Sequence, residues 1–268
     1  MTDNNDLGIT SALILLFQAT DCHFILQAAI HAIHEAIKKL PNDIDFSNPS
    51  LFAGLPFPST LVIPYQRFEW KKQDDLYLFQ YMGRSKFNDL LKQVQGDDFV
   101  AGFQSIYLYG SSGSGKSHLL AALVCHLIRH GERVLYVPNC SELLANFEKV
   151  IQTGLSFACY KSEPLYEEIQ SACGFDDLYR IWAEHKDIYF IVDQLNALEL
   201  DLQNPSLDAE KSKVLVWLGK MSWRHRYIFS ASANEKTNRV ADKRQTGTHV
   251  IRFNGGMSQV CLCFNDHV

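Results

Sequence analysis

The sequence predicts a three-layer α/β domain with a parallel sheet of five core strands, preceded by a helical N-terminal segment. Three observations favour this fold. Short apolar runs rich in strand-forming residues alternate with stretches of helical periodicity. A glycine-rich loop joins the first of the core strands to the next helix. A later apolar run ends in an aspartate, as expected of a strand that delivers a carboxylate to the edge of a parallel sheet.

The composition indicates a globular protein. Of its 268 residues, 47% are hydrophobic and 21% are charged. The formal net charge of −5 gives no electrostatic reason to expect nucleic-acid binding. The seven cysteines form no CxxC pair, which indicates free thiols in a reducing compartment. The apolar run 7–19 is shorter than the roughly 20 residues that span a bilayer and follows acidic residues, so we expect a cytoplasmic chain without a membrane partner.

The N-terminal quarter of the chain differs from the rest in its pattern. Residues 9–40 are mostly apolar at helical spacing and predict one or two helices. Five prolines follow between residues 41 and 66, and this density predicts an extended connector. We therefore expect two parts, a helical segment with its connector over 1–66 and the α/β domain over 67–268.

The core elements of the α/β domain follow from periodicity. Short apolar runs predict strands, and apolar residues at helical spacing predict the helices that join them. A helix over 118–130 ends with basic residues before Gly131, which suits the negative end of its dipole. The five predicted strands cover 105–109, 133–137, 188–192, 227–232 and 248–253, and a further helix covers 207–221.

The loop between the first core strand and its helix reads GSSGSGKS and fits G-x-x-x-x-G-K-[ST], the phosphate-binding P-loop. Its glycines let the backbone curl so that consecutive N–H groups point inward at phosphate oxygens. The order strand, loop, helix disfavours the alternative of a serine-glycine surface loop. The expected nucleotide-binding residues are Gly110, Ser111, Ser112, Gly113, Ser114, Gly115, Lys116, Ser117 and His118.

Two later positions complete the predicted chemistry. Lys116 would reach the β- and γ-phosphates of ATP, while Ser117 and Asp193 would hold Mg²⁺. Asp193 ends the apolar run 188–192, which is a Walker B pattern. The next residue is Gln194, where many ATPases have a glutamate base, and an amide can orient water but cannot accept its proton. Two functions stay open, a slow ATPase and a nucleotide-gated interaction module that does not hydrolyse.

The strand 227–232 ends in polar residues that suit a sensor of the γ-phosphate. Ser230, Ser232 and Asn234 are candidates, and Ser232 is our choice as the catalytic sensor. The alternative is that these serines only form a turn, since serine is common at strand ends.

Upstream of the P-loop, Gly83-Arg84 resembles the Gly-Arg motif of STAND and initiator-type AAA+ ATPases. The resemblance implies that Arg84 lies beside the nucleotide base; the alternative is a turn with an exposed cation. It also implies a sheet in which the five strands, numbered along the chain, lie in the order 5-1-4-3-2. Such ATPases often use an arginine from a neighbouring subunit, so a homo-oligomer is a possible partner. The candidates are Arg224, Arg226, Arg239 and Arg244.

Four stretches are similar to the P-loop NTPase module of Crinkler proteins, an effector-type family related to retrotransposon hot spot proteins. They are 109–122, 131–140, VDQLNAL at 192–198 and FSASANEKTN at 229–238. The resemblance implies Mg²⁺-dependent ATP binding with glutamine after the Walker B aspartate. It would also imply secretion toward a host cell. This chain departs from the family in lacking a clear ubiquitin-like header, and we expect it to lack the C-terminal lid and the nuclease domain.

The remaining partners are predicted from what the sequence contains. No N/T-K-x-D motif of the kind that reads guanine is present, so ATP is favoured over GTP. The basic run 236–244 is the one feature that would suit nucleic acid, and a solvated loop is the simpler interpretation at this net charge.

Overall fold

The computed structural model describes residues 25–61, 68–73, 76–102, 104–200, 204–232 and 248–253. Within these ranges, no helix is both long and apolar enough to cross a membrane. The first part of the described chain forms a small layer of helices and antiparallel strands. Its elements are α1 (25–38), β1 (Phe52–Pro56), β2 (Trp70–Gln73), β3 (Leu76–Met82), α2 (Lys86–Val94) and α3 (Asp97–Val100). The three strands pair in the order β1-β3-β2.

The second part is a parallel α/β sheet with its crossover helices. Its strands are β4 (Ser105–Gly110), β5 (Val134–Val137), β6 (Tyr189–Val192), β7 (Arg226–Ser232) and β8 (Thr248–Phe253). Its helices are α4 (Lys116–Arg129), α5 (Glu142–Cys159), α6 (Glu163–Ser171), α7 (Phe175–Glu184), a 3-10 turn (Leu195–Leu198) and α8 (Pro205–Ser222). Thus the α/β prediction is confirmed, including the helix expected over 207–221.

The sheet order is β5-β6-β7-β4-β8, and every neighbouring pair is parallel. Numbered along the chain, this is 5-1-4-3-2, as predicted. The P-loop strand β4 therefore lies between β7 and β8, in the interior of the sheet. Because all five strands run the same way, the residues that follow their carboxyl ends meet at one edge.

Side-chain alternation along the strands divides the core into two apolar layers. Ile106 and Leu108 of β4 join the cluster that contains Leu120 of α4. On the other face of the sheet, Leu135 of β5 joins a second cluster with side chains of α5, α7 and α8, including the fully buried Trp182. Helices therefore cover both faces, which gives the three layers.

The segment 52–57 differs from the predicted connector. β1 pairs antiparallel with β3, and both Leu55 and Phe57 are buried. Pro56 is compatible with this pairing because β1 is an edge strand, where a missing N–H costs no ladder hydrogen bond. The expectation of an unpacked connector is therefore wrong for this stretch.

The helical segment before it also packs on the α/β domain. Ile30 and Ile37 of α1 are fully buried in the same apolar cluster as the α4 side chains. Arg129 at the end of α4 donates to Asn42 Oδ1 at 3.1 Å. The predicted division of the chain at residue 66 therefore does not coincide with a break in the apolar core.

Candidate functional site

The P-loop joins β4 to α4 at the carboxyl edge of the sheet, where its backbone needs glycine. Gly113 and Gly115 have φ values of 74° and 81°, in the left-handed region that favours glycine. Space is a second constraint, because a Cβ atom on Gly110 would lie 2.4 Å from the carbonyl oxygen of Phe253 in β8. The sequence pattern and the local geometry of the loop therefore agree.

The side chain of Lys116 lies inside the curl of this loop. Its Nζ atom donates to Gly110 O and Ser111 O, both at 2.8 Å, and to Ser114 Oγ at 3.2 Å. All three acceptors are uncharged, and Lys116 is only 6% exposed. Burial lowers the pKa of Lys116, while the nearby charge of Asp193 works in the opposite direction. The loop thus holds a largely desolvated cation that an anionic ligand would stabilise.

Asp193 follows β6 and is fully buried. Its backbone N–H donates to Val137 O at 2.8 Å, and its backbone carbonyl accepts from Cys140 N at 3.1 Å. Its carboxylate accepts a hydrogen bond from Ser230 Oγ of β7. Contacts with the two neighbouring strands thus fix the position of Asp193, and its charge favours the charged form of Lys116.

These residues fit a magnesium ion held together with phosphate. Mg²⁺ in nucleotide sites takes one or two carboxylates, with the remaining ligands supplied by water and phosphate oxygens. The buried carboxylate of Asp193 and the partly exposed hydroxyl of Ser117 match that requirement. In the described part of the chain, no group of three or more His, Cys, Asp or Glu side chains forms a metal cluster of its own.

Gln194 occupies a strained position between β6 and the 3-10 turn. Its φ and ψ of 65° and 47° are left-handed, which is uncommon for a residue with a side chain. The backbone is held there because Gln194 N donates to Ser230 Oγ at 3.3 Å and Ala197 N donates to Gln194 O at 2.9 Å. Local strain of this kind is frequently found at functional sites.

The sensor candidates divide between two contacts. Ser230 is 1% exposed and binds the Asp193 carboxylate, whereas Ser232 lies opposite Gly110, the first residue of the P-loop. The backbone N–H of Ser232 donates to Asn196 Oδ1 at 3.1 Å. The sensor role of Ser232 stays a prediction, and Asn234 lies outside the described residues. The contact of Asn196 was missed, because its partner Ser232 lies 36 positions further along the chain.

Arg84 and His118 lie together at one flank of the P-loop. Arg84 Nη1 donates to Ser114 O at 2.9 Å. Burial, followed by the charge of Arg84, lowers the pKa of His118 to about 4, so its ring is neutral at pH 7. The ring of Phe68, which the sequence did not single out, lies 4.6 Å from that of His118. The alternative of an exposed cation in a turn is wrong for Arg84, while contact with the base stays a prediction.

Arg226, a candidate for an arginine supplied to a neighbour, makes several contacts within its own chain. It begins β7 at the edge opposite the P-loop, and its Nε donates to Val100 O at 3.2 Å. Its guanidinium also lies 4.9 Å from the centre of the Tyr189 ring and 3.7 Å from a carboxylate oxygen of Glu132. These contacts engage the guanidinium within the chain, and the role of Arg226 toward a neighbour stays a prediction. Arg224 is exposed.

The other two arginine candidates, Arg239 and Arg244, lie outside the described residues, as does the basic run 236–244.

Comparison with known proteins supports a P-loop NTPase. Residues 66–160, which contain the P-loop, match the family model described as IstB-like ATP binding protein. No curated protein sequence matches the chain significantly. The match to the IstB-like family model agrees with the ATP-binding prediction, and it does not bear on the Crinkler resemblance.

Two solved structures resemble the chain at 16% identity over 63% of its length. One is DnaA from Aquifex aeolicus bound to AMPPCP, of which the match covers 46% with a TM-score of 0.32. The other is described as a DNA replication initiation factor, of which the match also covers 46%, with a TM-score of 0.33. The chain therefore spans less than half the length of these proteins.

Proposed function

We propose that this chain binds Mg²⁺-ATP at the carboxyl edge of its parallel sheet and hydrolyses it slowly. The observation that carries the proposal is the buried Lys116, whose ammonium donates to three uncharged oxygens of the P-loop, while the buried Asp193 follows the strand β6 at the same edge of the sheet. The phosphates of a bound triphosphate would supply an anionic partner for Lys116. The metal ion bound with them would be held by the Asp193 carboxylate.

Each residue has a role that follows from its position. Lys116 and the N–H groups of the P-loop bind phosphate oxygens, and Ser117 and Asp193 hold the metal. Mg²⁺, when bound, offsets the negative charge of the β- and γ-phosphates. Ser230 fixes the rotamer of Asp193 through their hydrogen bond.

Gln194 and Ser232 act at the γ-phosphate in this proposal. Gln194 orients the attacking water through its side-chain carbonyl, and Ser232, opposite Gly110 in the sheet, contacts the γ-phosphate or the water. Because an amide cannot take the proton from that water, the rate should be low.

ATP is favoured over GTP as the nucleotide. The support comes from the similarity of residues 66–160 to an ATP-binding family and from a sequence without an N/T-K-x-D motif. The Crinkler-type assignment remains part of the proposal on its sequence stretches alone, and export to a host cell would follow only from it. A protein partner or a second copy would be needed to supply an arginine, for which Arg224 is the exposed candidate.

A second function is a nucleotide-gated interaction module without hydrolysis. Gln194 favours it, since an ATPase that turns over quickly needs a group that accepts a proton. In that case nucleotide would bind with Mg²⁺ and no phosphate would be released.

Single-turnover hydrolysis of ATP separates the two functions. We expect slow phosphate release by the wild-type chain and a rate at least about ten-fold higher for Gln194→Glu, because a positioned general base contributes roughly 10²–10⁴-fold. Asp193→Asn is the control that should abolish Mg²⁺-dependent release in both backgrounds. Binding without release in either form would leave the interaction module. Absence of nucleotide binding by the wild-type chain would refute the whole proposal.

A further inference from the structure

We infer that Arg84 positions the P-loop from its outer side, by holding the Ser114 carbonyl so that the Gly115 N–H points into the phosphate site. The inference rests on the proposed nucleotide site and adds a positioning residue to it. It differs from contact with the base, which the sequence resemblance implied for Arg84.

The geometry of one peptide group carries the argument. Arg84 Nη1 donates to Ser114 O at 2.9 Å. A trans peptide is planar, so the Ser114 carbonyl and the Gly115 N–H point in opposite directions. P-loop N–H groups converge on phosphate, which places the guanidinium on the far side of the loop from the ligand. Its charge also polarises the peptide and makes the Gly115 N–H a stronger donor.

Gly115 lets the guanidinium come this close. A Cβ atom at this position would lie 2.4 Å from Arg84 Cζ, so any other residue would displace the arginine. Ser114 is also held through its side chain, because its hydroxyl accepts from Lys116 Nζ at 3.2 Å. Two cations therefore bind Ser114. Arg84 donates to its carbonyl, and Lys116 donates to its hydroxyl.

The backbone of Arg84 is in turn fixed by the segment 46–51. Arg84 N donates to Phe46 O at 3.0 Å, and Gly83 N donates to Leu51 O at 2.9 Å. A Cβ atom on Gly83 would lie 1.9 Å from Asn48 O, so glycine is needed for this close approach. The Gly-Arg pair therefore has a physical explanation, since Gly83 admits the segment that anchors Arg84.

The test compares ligands with and without a base. The full-length chain, Arg84→Met and Arg84→Lys would be titrated with Mg²⁺-ATP and with Mg²⁺-tripolyphosphate. A hydrogen bond to a charged group contributes roughly 1.5–3 kcal/mol, so Arg84→Met should weaken both ligands by the same factor of about ten or more. Arg84→Lys should recover part of this loss, because lysine can also donate to a carbonyl.

Arg129→Met is the matched control. Arg129 is a partly exposed arginine at the far end of α4, where it donates to Asn42, and its loss should leave both affinities unchanged. A loss in Arg84→Met that is confined to ATP would assign Arg84 to the base and overturn the inference. Unchanged affinity for both ligands would also overturn it.

A second readout needs no ligand. In protein labelled with ¹⁵N-glycine, the Gly115 amide resonance should move in Arg84→Met and stay in place in Arg129→Met, while the circular dichroism of both variants matches the wild type. If the wild-type chain binds neither ligand, or ATP alone, this resonance decides the inference separately from the proposed function. A Gly115 resonance that does not move would contradict the inference.

Discussion

The charged side chains at the two edges of the parallel sheet have different partners. At the amino edge, Arg133 and Asp187 form a bidentate ion pair. Although burial works to raise it, the hydrogen bond from Arg133 keeps the pKa of Asp187 below its usual value. Arg226 lies beside Glu132 and over the ring of Tyr189. Arg133 and Arg226 are therefore paired with carboxylates within the chain.

At the carboxyl edge, the cations bind neutral oxygens. Lys116 donates to two carbonyls and a hydroxyl, and Arg84 donates to a third carbonyl. The Asp193 carboxylate accepts from a hydroxyl, Ser230 Oγ. The charged side chains thus stabilise the fold by pairing with each other at the amino edge, whereas those at the carboxyl edge are available to bind a charged ligand. Charge-removing variants at the two edges should differ accordingly.

The largest expected difference is between two aspartates. Asp193→Asn should lower affinity for Mg²⁺-ATP by about a hundred-fold while affinity without Mg²⁺ changes little, because a metal ligand is worth several kcal/mol of charge stabilisation. Asp187→Asn, the same change at the amino edge, should leave both affinities intact. Titration of each variant with and without Mg²⁺ measures this. An equal loss of Mg²⁺-ATP affinity in the two variants would contradict the proposed difference between the two edges.

The close approach at Gly83 gives the next effect. Gly83→Ala must push back the Asn48 carbonyl, and overpacking of this kind costs roughly 1–3 kcal/mol of unfolding free energy. Gly219→Ala in α8 is the control, since its Cβ would meet nothing within 4 Å and alanine favours a helix by roughly 0.5–1 kcal/mol. Urea denaturation of both variants checks the signs. A stable Gly83→Ala chain would mean that segment 46–51 does not hold Arg84.

Histidines at both edges predict a smaller dependence of stability on pH. Burial lowers the pKa of His118 to about 4, and burial followed by the charge of Lys186 lowers that of His225 to about 3. Both rings stay neutral in the folded chain while the unfolded chain takes up protons near pH 6.5. The contribution of these two histidines to the free energy of unfolding is therefore fully present above pH 6.5 and is lost as the pH drops toward 4.

Replacing one histidine should reduce that slope. His225→Asn should lessen the loss of unfolding free energy between pH 6.5 and 4 by up to about 1.4 kcal/mol per pH unit. Denaturation at pH 7 and pH 5 measures the difference. Identical slopes in the wild type and His225→Asn would contradict the burial argument.

The fold was predictable because its signals are local. The P-loop spacing, the strand ending at Asp193 and the apolar alternation each lie within one element, and strand order followed once the motifs were assigned. β1 was missed because proline is acceptable on an edge strand, and which strand forms an edge is decided by tertiary pairing.

The site was predictable only in part, for a similar reason. Ser230 and Ser232 lie on the same face of β7, and the register decides between them. Val192 pairs with Phe229, so the residue after Val192 meets Ser230. The sequence alone does not contain this register. The contact of Arg226 with Tyr189 could not be predicted from the sequence either, because the two residues lie 37 positions apart in the chain.

Thermal unfolding of two variants tests the contrast between the edges most directly. Because the fold disfavours the charged form of Lys116, Lys116→Met should keep the melting temperature of the ligand-free chain. It should lose the rise that Mg²⁺-ATP causes, which corresponds to about 2.7 kcal/mol at a hundred-fold excess over Kd. Arg226→Met should do the reverse, losing roughly 1–3 kcal/mol of stability and keeping the rise. A Lys116→Met chain that Mg²⁺-ATP stabilises as much as the wild type would contradict the account.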